Sequence, residues 1–580
     1  MHPSLTTTLL ALLLTPTITT ATTTSDAAST TPQFHNSARH TAADPHVIYD
    51  ANSGKYYAYS TDGADKNHLF AIYTSPDLST WSKHPGGVLN ACYDDAMNKL
   101  PNGQACWARD WQWAPETYYN DKTGWYFFFF AGRLRQDMTK DYFRYSAFEE
   151  PSKIGVAVSR SPTGPFHEIK SKPIDWFPFD PAYHDVNLIM DAKQMLPPPS
   201  LENGQKAPKG TYIPTIDPNV FFDNNGRIYL YASRNAYRNW NWDAKLGKYI
   251  EESNIIAVEL DRAWWDDPHA TTMPQIVASQ MDINAQNAPK PPCNPGRYNG
   301  TGEIGHPLRK DGWKTIISYG ADPQAWENFH VNDYQKYNGT KKDRRWSEGS
   351  TLVTRPGANG KPAYFITYSA NNFEASNYGV GFAESSSPLG PFRKSSRNPI
   401  ISQQPNASIP IFSTGHGSIV ASPPKDHGVF VGAQDVTRQT PPDAELFYVH
   451  HGRNSTDSGR SLYTTRIKLD ATAGDAAMSA ALTSDDQPLP KWTYPIEVEA
   501  VCNEDDTTVA VYARQGSAFD ISEATNRVVG LPGDVPVSEL EPAVDGGFIV
   551  SFGKHVDGVA YQRLKVDGSW DTVGQAKISC

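Results

Sequence analysis

A unit of apolar strand, tight turn and apolar strand recurs five times along the chain. β-Branched and aromatic residues flank each turn, and the turns carry Asn, Asp and Gly, which supply the positive φ angles that hairpins require. The units open at Asp44, Glu116, Asp217, Glu348 and His416. Their return strands are predicted at 55–59, 125–130, 227–231, 364–368 and 429–431. Recurrence of one strand–turn–strand unit predicts a repeat architecture.

A second motif, an aromatic-anchored turn that starts with Ser-Pro, follows several of the units. It occurs at Ser75–Trp81, Ser161–Phe166 and Ser387–Phe392, each time after another strand-like run. A unit therefore contains about four strands, and sustained helical periodicity is scarce. Five such units predict an all-β fold, a five-bladed β-propeller over residues 40–475.

The two ends of the chain depart from the repeat. Residues 490–580 alternate apolar and polar positions without the acidic residue that opens most of the units, which predicts a small C-terminal β domain, a sandwich that either binds carbohydrate or supports the propeller. Residues 1–28 include the apolar run 9–14 and small residues near Ala21, and they are interpreted as a secretory signal peptide with a short tail. That run is too short to span a bilayer.

Export is also favoured by four N-glycosylation sequons, at Asn299, Asn338, Asn406 and Asn454. In an oxidising compartment, disulfides are expected between Cys92 and Cys106 and between Cys502 and Cys580, which leaves Cys293 unassigned. We therefore expect a secreted, extracellular glycoprotein.

Composition limits the classes of partner and cofactor that the protein is expected to bind. The formal net charge is −11, and no basic stripe is present, so nucleic acid is not expected as a partner. Aromatic residues make up 12% of the chain; some build the core, and sugar sites also use aromatic faces as platforms. No Gly-rich loop joins a strand to a helix, so no nucleotide or redox cofactor is implied.

The residues that open the units should converge, because the first strand of every propeller blade lines the central axis. Asp44, Glu116, Asp217, Glu348 and His416 occupy these positions. Burying several carboxylates together is costly, and their mutual repulsion raises some of the pKa values. One carboxyl kept protonated beside an ionised one is what glycoside hydrolysis needs. Taken singly, each acid could instead begin a turn or cap a strand.

The chain resembles glycoside hydrolase family 43 over roughly residues 40–470. The resemblance depends on short motifs that occur in a fixed order: Ala43–Val47, Trp113–Glu116, Ile154–Ala157, Ser161–Phe166, Ile216–Val220, Trp346–Ser350 and Gly415–Ser418. It implies a five-bladed enzyme that acts on arabinans, arabinoxylans or xylo-oligosaccharides of the plant cell wall.

The resemblance also implies roles for individual residues. Asp44 would be the general base, Glu348 the general acid, and Asp217 the residue that orients Glu348 and holds its pKa up, in an inverting reaction. His416 would lie near the axis, either helping to hold a calcium ion or as a hydrogen-bonded core histidine. No cofactor is otherwise required.

Three further residues are assigned to substrate binding or to structure. Glu116 matches an acidic family position outside the catalytic triad, so it has a substrate-binding or a structural role. Trp113 and Trp346 flank the acids and are either stacking platforms for sugar or core residues.

The sequence favours an α-L-arabinofuranosidase or arabinanase that acts as a monomer on polysaccharide or oligosaccharide. A β-xylosidase is the alternative within the same class, because pentofuranose and pentopyranose shapes overlap. A non-catalytic carbohydrate-binding propeller is the alternative from another class, although it would not need an acid–base pair. The long connections at 167–210 and 262–345 are expected to shape the sugar subsites.

Overall fold

The computed structural model describes the residues of the propeller strands and of the C-terminal β region, with gaps between them. The described residues are 36–50, 53–76, 78, 81–91, 106–143, 150–174, 179–180, 201–202, 205–206, 211–212, 214–234, 240–243, 245–277, 313–319, 322–405, 410–421, 445–456, 458–480, 498–502, 508–513, 526–542, 548–564 and 570–579. The predicted signal peptide, Asn299, Asn406, Cys92, Cys293 and Cys580 lie outside them.

Five antiparallel sheets, here called blades 1 to 5, confirm the predicted propeller. From the innermost strand outward, blade 1 contains His46–Asp50, Lys55–Ser60, Ala71–Ser75 and Ser82–Lys83; blade 2 contains Ala108–Asn120, Trp125–Leu134, Ser152–Ser159 and His167–Glu168; blade 3 contains Thr215–Phe222, Ile228–Arg234, Asn254–Leu260 and Lys314–Ile317; blade 4 contains Ser347–Pro356, Pro362–Ala370, Gly379–Ser385 and Arg393–Lys394; blade 5 contains Phe412–Ala421, Leu446–Arg453, Ser461–Leu469 and Asn36–Thr41. Each innermost strand contacts the innermost strand of the next blade, and the fifth contacts the first, so the five strands surround one axis.

Blade 5 contains strands that the repeat did not predict. The strand that pairs with Phe412–Ala421 is Leu446–Arg453, in register from Ala421 opposite Leu446. The predicted return strand at 429–431 lies outside the described residues. The outer strand of this blade is Asn36–Thr41, which pairs with Ser461–Leu469 and closes the ring; Met478–Ala480 pairs with the same strand.

An unbroken apolar run in blade 2 shows how neighbouring blades pack. Successive side chains of a strand point to opposite faces, and in Trp125–Leu134 both faces are buried. Phe127 packs edge-on against Trp264 at 5.0 Å between ring centroids, on the side of blade 3. Phe128 and Phe130 pack against Phe70 of blade 1 at 5.1 and 5.6 Å. A strand enclosed between two blades therefore carries no polar alternation.

The remaining elements are short and lie in the connections. Within the described ranges, the helices and 3₁₀ turns are Gln136–Phe143, Ala263–Asp266, Ala325–Glu327, Asp333–Lys336 and Gly474–Ala476. Small sheets pair His68–Leu69 with Leu89–Asn90, Phe179–Asp180 with Thr211–Tyr212, Leu201–Glu202 with Gln205–Lys206, and Lys248–Glu252 with both Trp240–Asp243 and Arg344–Arg345. None of the helices in the described ranges is long and apolar enough to cross a bilayer.

The C-terminal β region is an eight-stranded sheet. Its order across the sheet is Val535–Pro536, Asn526–Leu531, Gly558–Leu564, Trp570–Ser579, Val498–Cys502, Thr508–Ala513, Phe548–Ser551 and Glu539–Pro542. Apolar side chains from both halves form one buried cluster, which includes Val509, Val550, Val528 and Val559. The sheet thus encloses a core of its own, and its function stays a prediction.

Two of the export signals can be located. Asn338 and Asn454 are exposed at the surface, where a glycan could be attached; their glycosylation stays a prediction. Cys106 is disulfide-bonded, and Cys92, its predicted partner, is outside the described residues.

A buried ion pair fixes the connection before blade 4 to the blade itself. The Lys394 ammonium lies 2.8 Å from Oε1 of Glu327, and their side chains are 2% and 0% exposed. Replacing Lys394 with methionine is expected to lower the free energy of unfolding by about 3–5 kcal/mol, because it leaves a carboxylate buried without its partner. Denaturation midpoints would measure the change.

Lys83→Met is the matched control, because Lys83 pairs with Asp65 at 2.5 Å at the surface, where the side chains are 33% and 47% exposed. We expect a much smaller effect there, since water already screens the pair. Equal losses in the two variants would contradict the role given to the buried pair.

Candidate active site

The innermost strands share a backbone feature where they reach the axis. Every blade has a residue with a positive φ angle there: Asp44 (50°), Ala114 (49°), Asp217 (52°), Gly349 (60°) and His416 (44°). In blades 2 to 5 the strand pairing also shifts register at this point. Such bulges redirect side chains and often occur beside active sites. They turn the chain so that acidic side chains reach the cavity at the axis.

Asp44 lies among three basic side chains. Its Oδ1 is 3.1 Å from Nη1 of Arg460 and 3.3 Å from Nδ1 of both His416 and His451. The Thr61 hydroxyl donates a hydrogen bond of 2.8 Å to Oδ2. Burial opposes ionisation of this carboxyl, but Arg460 and the imidazoles outweigh it and hold the pKa of Asp44 well below its usual range. Asp44 is therefore ionised at neutral pH.

The carboxyl of Glu348, unlike that of Asp44, is disfavoured from ionising. Burial, reinforced by the negative charge of Asp44, raises the pKa of Glu348 to about 7, although the Tyr378 hydroxyl opposes the shift by donating a hydrogen bond of 2.7 Å to Oε1. The Tyr378 ring stacks on His451, with 5.6 Å between centroids and 2° between planes. A carboxyl with this pKa can hold a proton where Asp44 cannot.

Asp217 completes the group of carboxyls. Burial, together with the charges of Glu348 and Asp44, raises the pKa of Asp217 to about 7, against the opposing effect of His416. Oδ2 of Asp217 is buried and has no hydrogen-bond partner among the described residues. A buried acceptor without a partner is costly, so a ligand that donates a hydrogen bond here would remove that cost.

These carboxyls line a cavity of about 400 Å³. Six of the seven sequence-predicted site residues line it: Asp44, Asp217, Glu348, Trp113, Trp346 and His416. Sequence reasoning did not predict the other lining residues, which are Trp111, Glu150, Ile216, Arg344, Asn371, Asn372, Phe373, Glu374 and Arg460. The Trp-Gln-Trp spacing could have indicated Trp111, because alternate residues of a strand share a face. Arg460 and the 371–374 loop carry no comparable sequence signal.

Glu116 is the predicted residue that does not line this cavity. It borders a smaller axial cavity of about 10 Å³ with Asp44, His46 and Asp217, which is about the room one water molecule needs. It accepts hydrogen bonds from the Tyr118 hydroxyl and from Nδ2 of Asn219. Burial raises the pKa of Glu116 to about 8. Its contacts are to the protein, which favours the structural role.

The residues at the axis do not form a ready metal cage. Among the described residues, no group of three or more His, Cys, Asp or Glu side chains is arranged to hold a metal ion. Nδ1 of His416 is directed at Asp44 instead, at 3.3 Å, which suits the hydrogen-bonded alternative. The presence of a calcium ion at the axis stays a prediction.

Comparisons with known proteins add to this geometry. The curated relative found is a β-D-galactofuranosidase from Aspergillus niger, 29% identical over 140 residues, which make up 23% of this chain and 34% of the relative. The chain thus matches about a third of that relative's length.

Solved structures are more distant in sequence. A thermostable family-43 glycoside hydrolase is 20% identical with a TM-score of 0.45, covering 79% of this chain and 100% of its own. An endo-1,4-β-xylanase from Bacteroides thetaiotaomicron is 20% identical with a TM-score of 0.43, covering 76% of this chain and 95% of its own.

A sequence profile of the whole family gives the decisive match. The profile of glycosyl hydrolases family 43 matches residues 38–188 and 323–472, which together exceed half of the chain. Both segments contain predicted site residues, with Asp44 in the first and Glu348 in the second. The resemblance inferred from the short motifs is confirmed, and the chain belongs to glycosyl hydrolases family 43.

Proposed function

We propose that this family 43 glycoside hydrolase cleaves α-L-arabinofuranosyl bonds of plant polysaccharides with inversion at the anomeric carbon. The observation that carries the proposal is the pair of carboxyls in one cavity with opposite protonation, Asp44 ionised and Glu348 protonated up to about pH 7. Two acids whose pKa values are driven apart can act as base and acid in the same step.

The steps follow from this pair. Asp44 accepts a proton from the water that attacks the anomeric carbon, while Glu348 donates its proton to the glycosidic oxygen as that bond breaks. Asp217 lies near both, and its charge, when present, disfavours ionisation of Glu348 by the same repulsion that Glu348 exerts on it. Arg460 keeps Asp44 ionised and in place.

The choice of sugar has weaker support. The curated relative is named as a galactofuranosidase, and α-L-arabinofuranose shares the ring size and ring configuration of β-D-galactofuranose without its extra hydroxymethyl group. This favours a furanoside over the xylopyranoside of the alternative. The apolar run 9–14 and the four sequons support action outside the cell.

The test is hydrolysis by the purified chain of aryl α-L-arabinofuranoside, β-D-galactofuranoside and β-D-xylopyranoside, and of arabinan. We expect the arabinofuranoside to be cleaved fastest, and proton NMR to show that the first product has the opposite anomeric configuration. Retention of configuration would refute the base role of Asp44. If another glycoside is cleaved faster, its sugar takes the place of arabinofuranose in the proposal. Binding without cleavage would support the non-catalytic alternative.

The pH dependence offers a further prediction. Activity should fall as the pH rises through the pKa of Glu348, because the acid loses its proton. Tyr378→Phe removes a hydrogen bond that stabilises the ionised form of Glu348, so the pKa of Glu348 should rise and the alkaline limb of kcat/KM should move to higher pH.

Tyr364→Phe is the matched control, because the Tyr364 hydroxyl also bonds a carboxylate, Asp223, at 3.1 Å, but does not line the cavity. Its pH profile should match that of the wild type. An alkaline limb that stays in place in Tyr378→Phe would show that this hydroxyl does not influence the acid.

A further inference from the structure

The lining of the active-site cavity includes further residues besides the axial carboxyls. Four of them are here called the outer group: Glu150, Arg344, Trp346 and Trp111. Arg344 is fixed by Glu251, which is fully buried and accepts a hydrogen bond of 2.6 Å from its Nε. The largest electrostatic influences on Glu150 come from Glu251, Arg344, Lys342 and Arg133, not from the axial acids. The cavity therefore contains two separate groups of ionisable side chains.

Within the outer group, Glu150 has an unused hydrogen-bonding atom. Its Oε2 is buried and has no partner among the described residues. Burial, followed by the charge of Glu251, raises the pKa of Glu150 to about 8, against the effect of Arg344 and Lys342. At neutral pH the group is mostly a carboxylic acid, which can both donate and accept a hydrogen bond. A sugar hydroxyl is suited to such a partner.

Tryptophan rings line the same cavity. Trp111 stacks on Trp113 with 5.0 Å between centroids and 14° between planes, and the Arg133 guanidinium lies 3.7 Å from the Trp111 ring, so the ring of Trp111 is already covered by protein. Trp346 is only partly buried, and the Arg344 guanidinium lies 5.0 Å from its ring. Trp346 is therefore the ring of this group that can offer an apolar face to a sugar, in a cavity of about 400 Å³ that falls in the range of small-molecule sites.

The position of the outer group indicates which sugar it would contact. Arg344, Trp346 and Glu348 alternate along one stretch of chain and all three line the cavity, so their side chains form a row that ends at Glu348. Glu348 is the acid that protonates the leaving oxygen in the proposed function. Arg344 is also among the charged neighbours of Glu150. A sugar that contacts this row beyond the acid would therefore be the leaving-group sugar.

We propose that Glu150 is a specificity-determining residue, whose carboxyl hydrogen-bonds a hydroxyl of the leaving-group sugar while that sugar packs on Trp346. The inference rests on the proposed function and extends it: the enzyme prefers oligosaccharides with a sugar, not an arbitrary group, on the leaving side. An aryl leaving group has no hydroxyl to offer Glu150.

The experiment compares kcat/KM for an arabino-oligosaccharide with that for an aryl arabinofuranoside in Glu150→Met and in the wild type. We expect the oligosaccharide value to fall about tenfold or more, as for loss of a hydrogen bond to a substrate hydroxyl, while the aryl value changes less than about threefold. The ratio of the two values does not depend on the fraction of folded enzyme, so a destabilised variant remains informative. Glu150→Gln, which keeps a donor and an acceptor, should recover part of the ratio.

Glu168 supplies the matched control. It is also in blade 2, burial likewise raises its pKa to about 8, and its Oε2 likewise has no partner among the described residues, but it does not line the cavity. Glu168→Met should leave the ratio at the wild-type value. An unchanged ratio in Glu150→Met, or an equal change in both variants, would overturn the inference. A wild type that cleaves neither substrate would instead refute the proposed function.

Discussion

Replacing Glu348 with glutamine is expected to lower kcat/KM on arabino-oligosaccharides by about 10²- to 10⁴-fold, the usual contribution of a general acid. Glutamine keeps the shape of the side chain but has no proton to give to the glycosidic oxygen. Aryl glycosides whose leaving groups are acidic phenols need little protonation, so they should lose far less activity. The signature is thus a steep dependence of rate on leaving-group pKa that the wild type lacks, measured over a series of substituted phenyl glycosides.

Glu116→Gln serves as the comparison for this variant. Glu116 is also a buried carboxyl with a raised pKa, but it borders the small axial cavity and bonds Tyr118 and Asn219. The Glu116→Gln variant should show the same dependence of rate on leaving-group pKa as the wild type. If Glu348→Gln lost the same factor on every substrate, Glu348 would not be the acid.

Replacing Asp44 with asparagine is expected to give the complementary result, a loss of about 10²- to 10⁴-fold on every substrate regardless of the leaving group. The ionised oxygen that accepts a proton from water is gone, and no leaving group compensates for that. Asparagine is the suitable replacement because Asp44 has a φ of 50°, a conformation that Asn adopts more readily than most residues. Rates on oligosaccharide and on activated aryl glycosides would be measured together.

Asp62→Asn is the control that distinguishes loss of the base itself from a change in the charges around it. Asp62 shares Arg460 with Asp44, at 3.1 Å from Nη2, but its side chain is 44% exposed. This variant should keep most of the activity.

Added azide, a nucleophile that needs no base, should restore turnover of an aryl glycoside by Asp44→Asn. Full activity of Asp44→Asn without azide would be incompatible with the base role.

The repeat made the axial residues predictable, because a propeller places the same position of every unit near one axis. The prediction was less accurate where the units differ in register. In blade 2 the positive φ angle falls on Ala114 and in blade 4 on Gly349, so Glu116 and Glu348 are not equivalent to Asp44, although all three open their units. This explains why Glu116 is directed at Tyr118 and Asn219 and not at the main cavity.

Contacts between distant segments could not be predicted from a single chain. Arg460 and Asp44 are far apart in sequence, and only the closed ring brings them to 3.1 Å. Glu150 follows no motif, and the charged residues that influence it most, Glu251 and Arg344, belong to connections of other blades. Protonation states depend on such neighbours and on burial, so the opposite states of Asp44 and Glu348 could be anticipated as a requirement but not assigned.

The closure of blade 5 by Asn36–Thr41 has a consequence for the order of events during protein synthesis. This strand is among the first propeller strands to leave the ribosome. Its partner, Ser461–Leu469, belongs to the blade that is translated last. Contacts between such distant segments form slowly, because a long loop must close first. Until then, the innermost strand of blade 1 has no neighbour on the blade 5 side, and Asp44 lacks both Arg460 and His451. The nascent chain therefore cannot assemble the active site before the whole propeller has emerged.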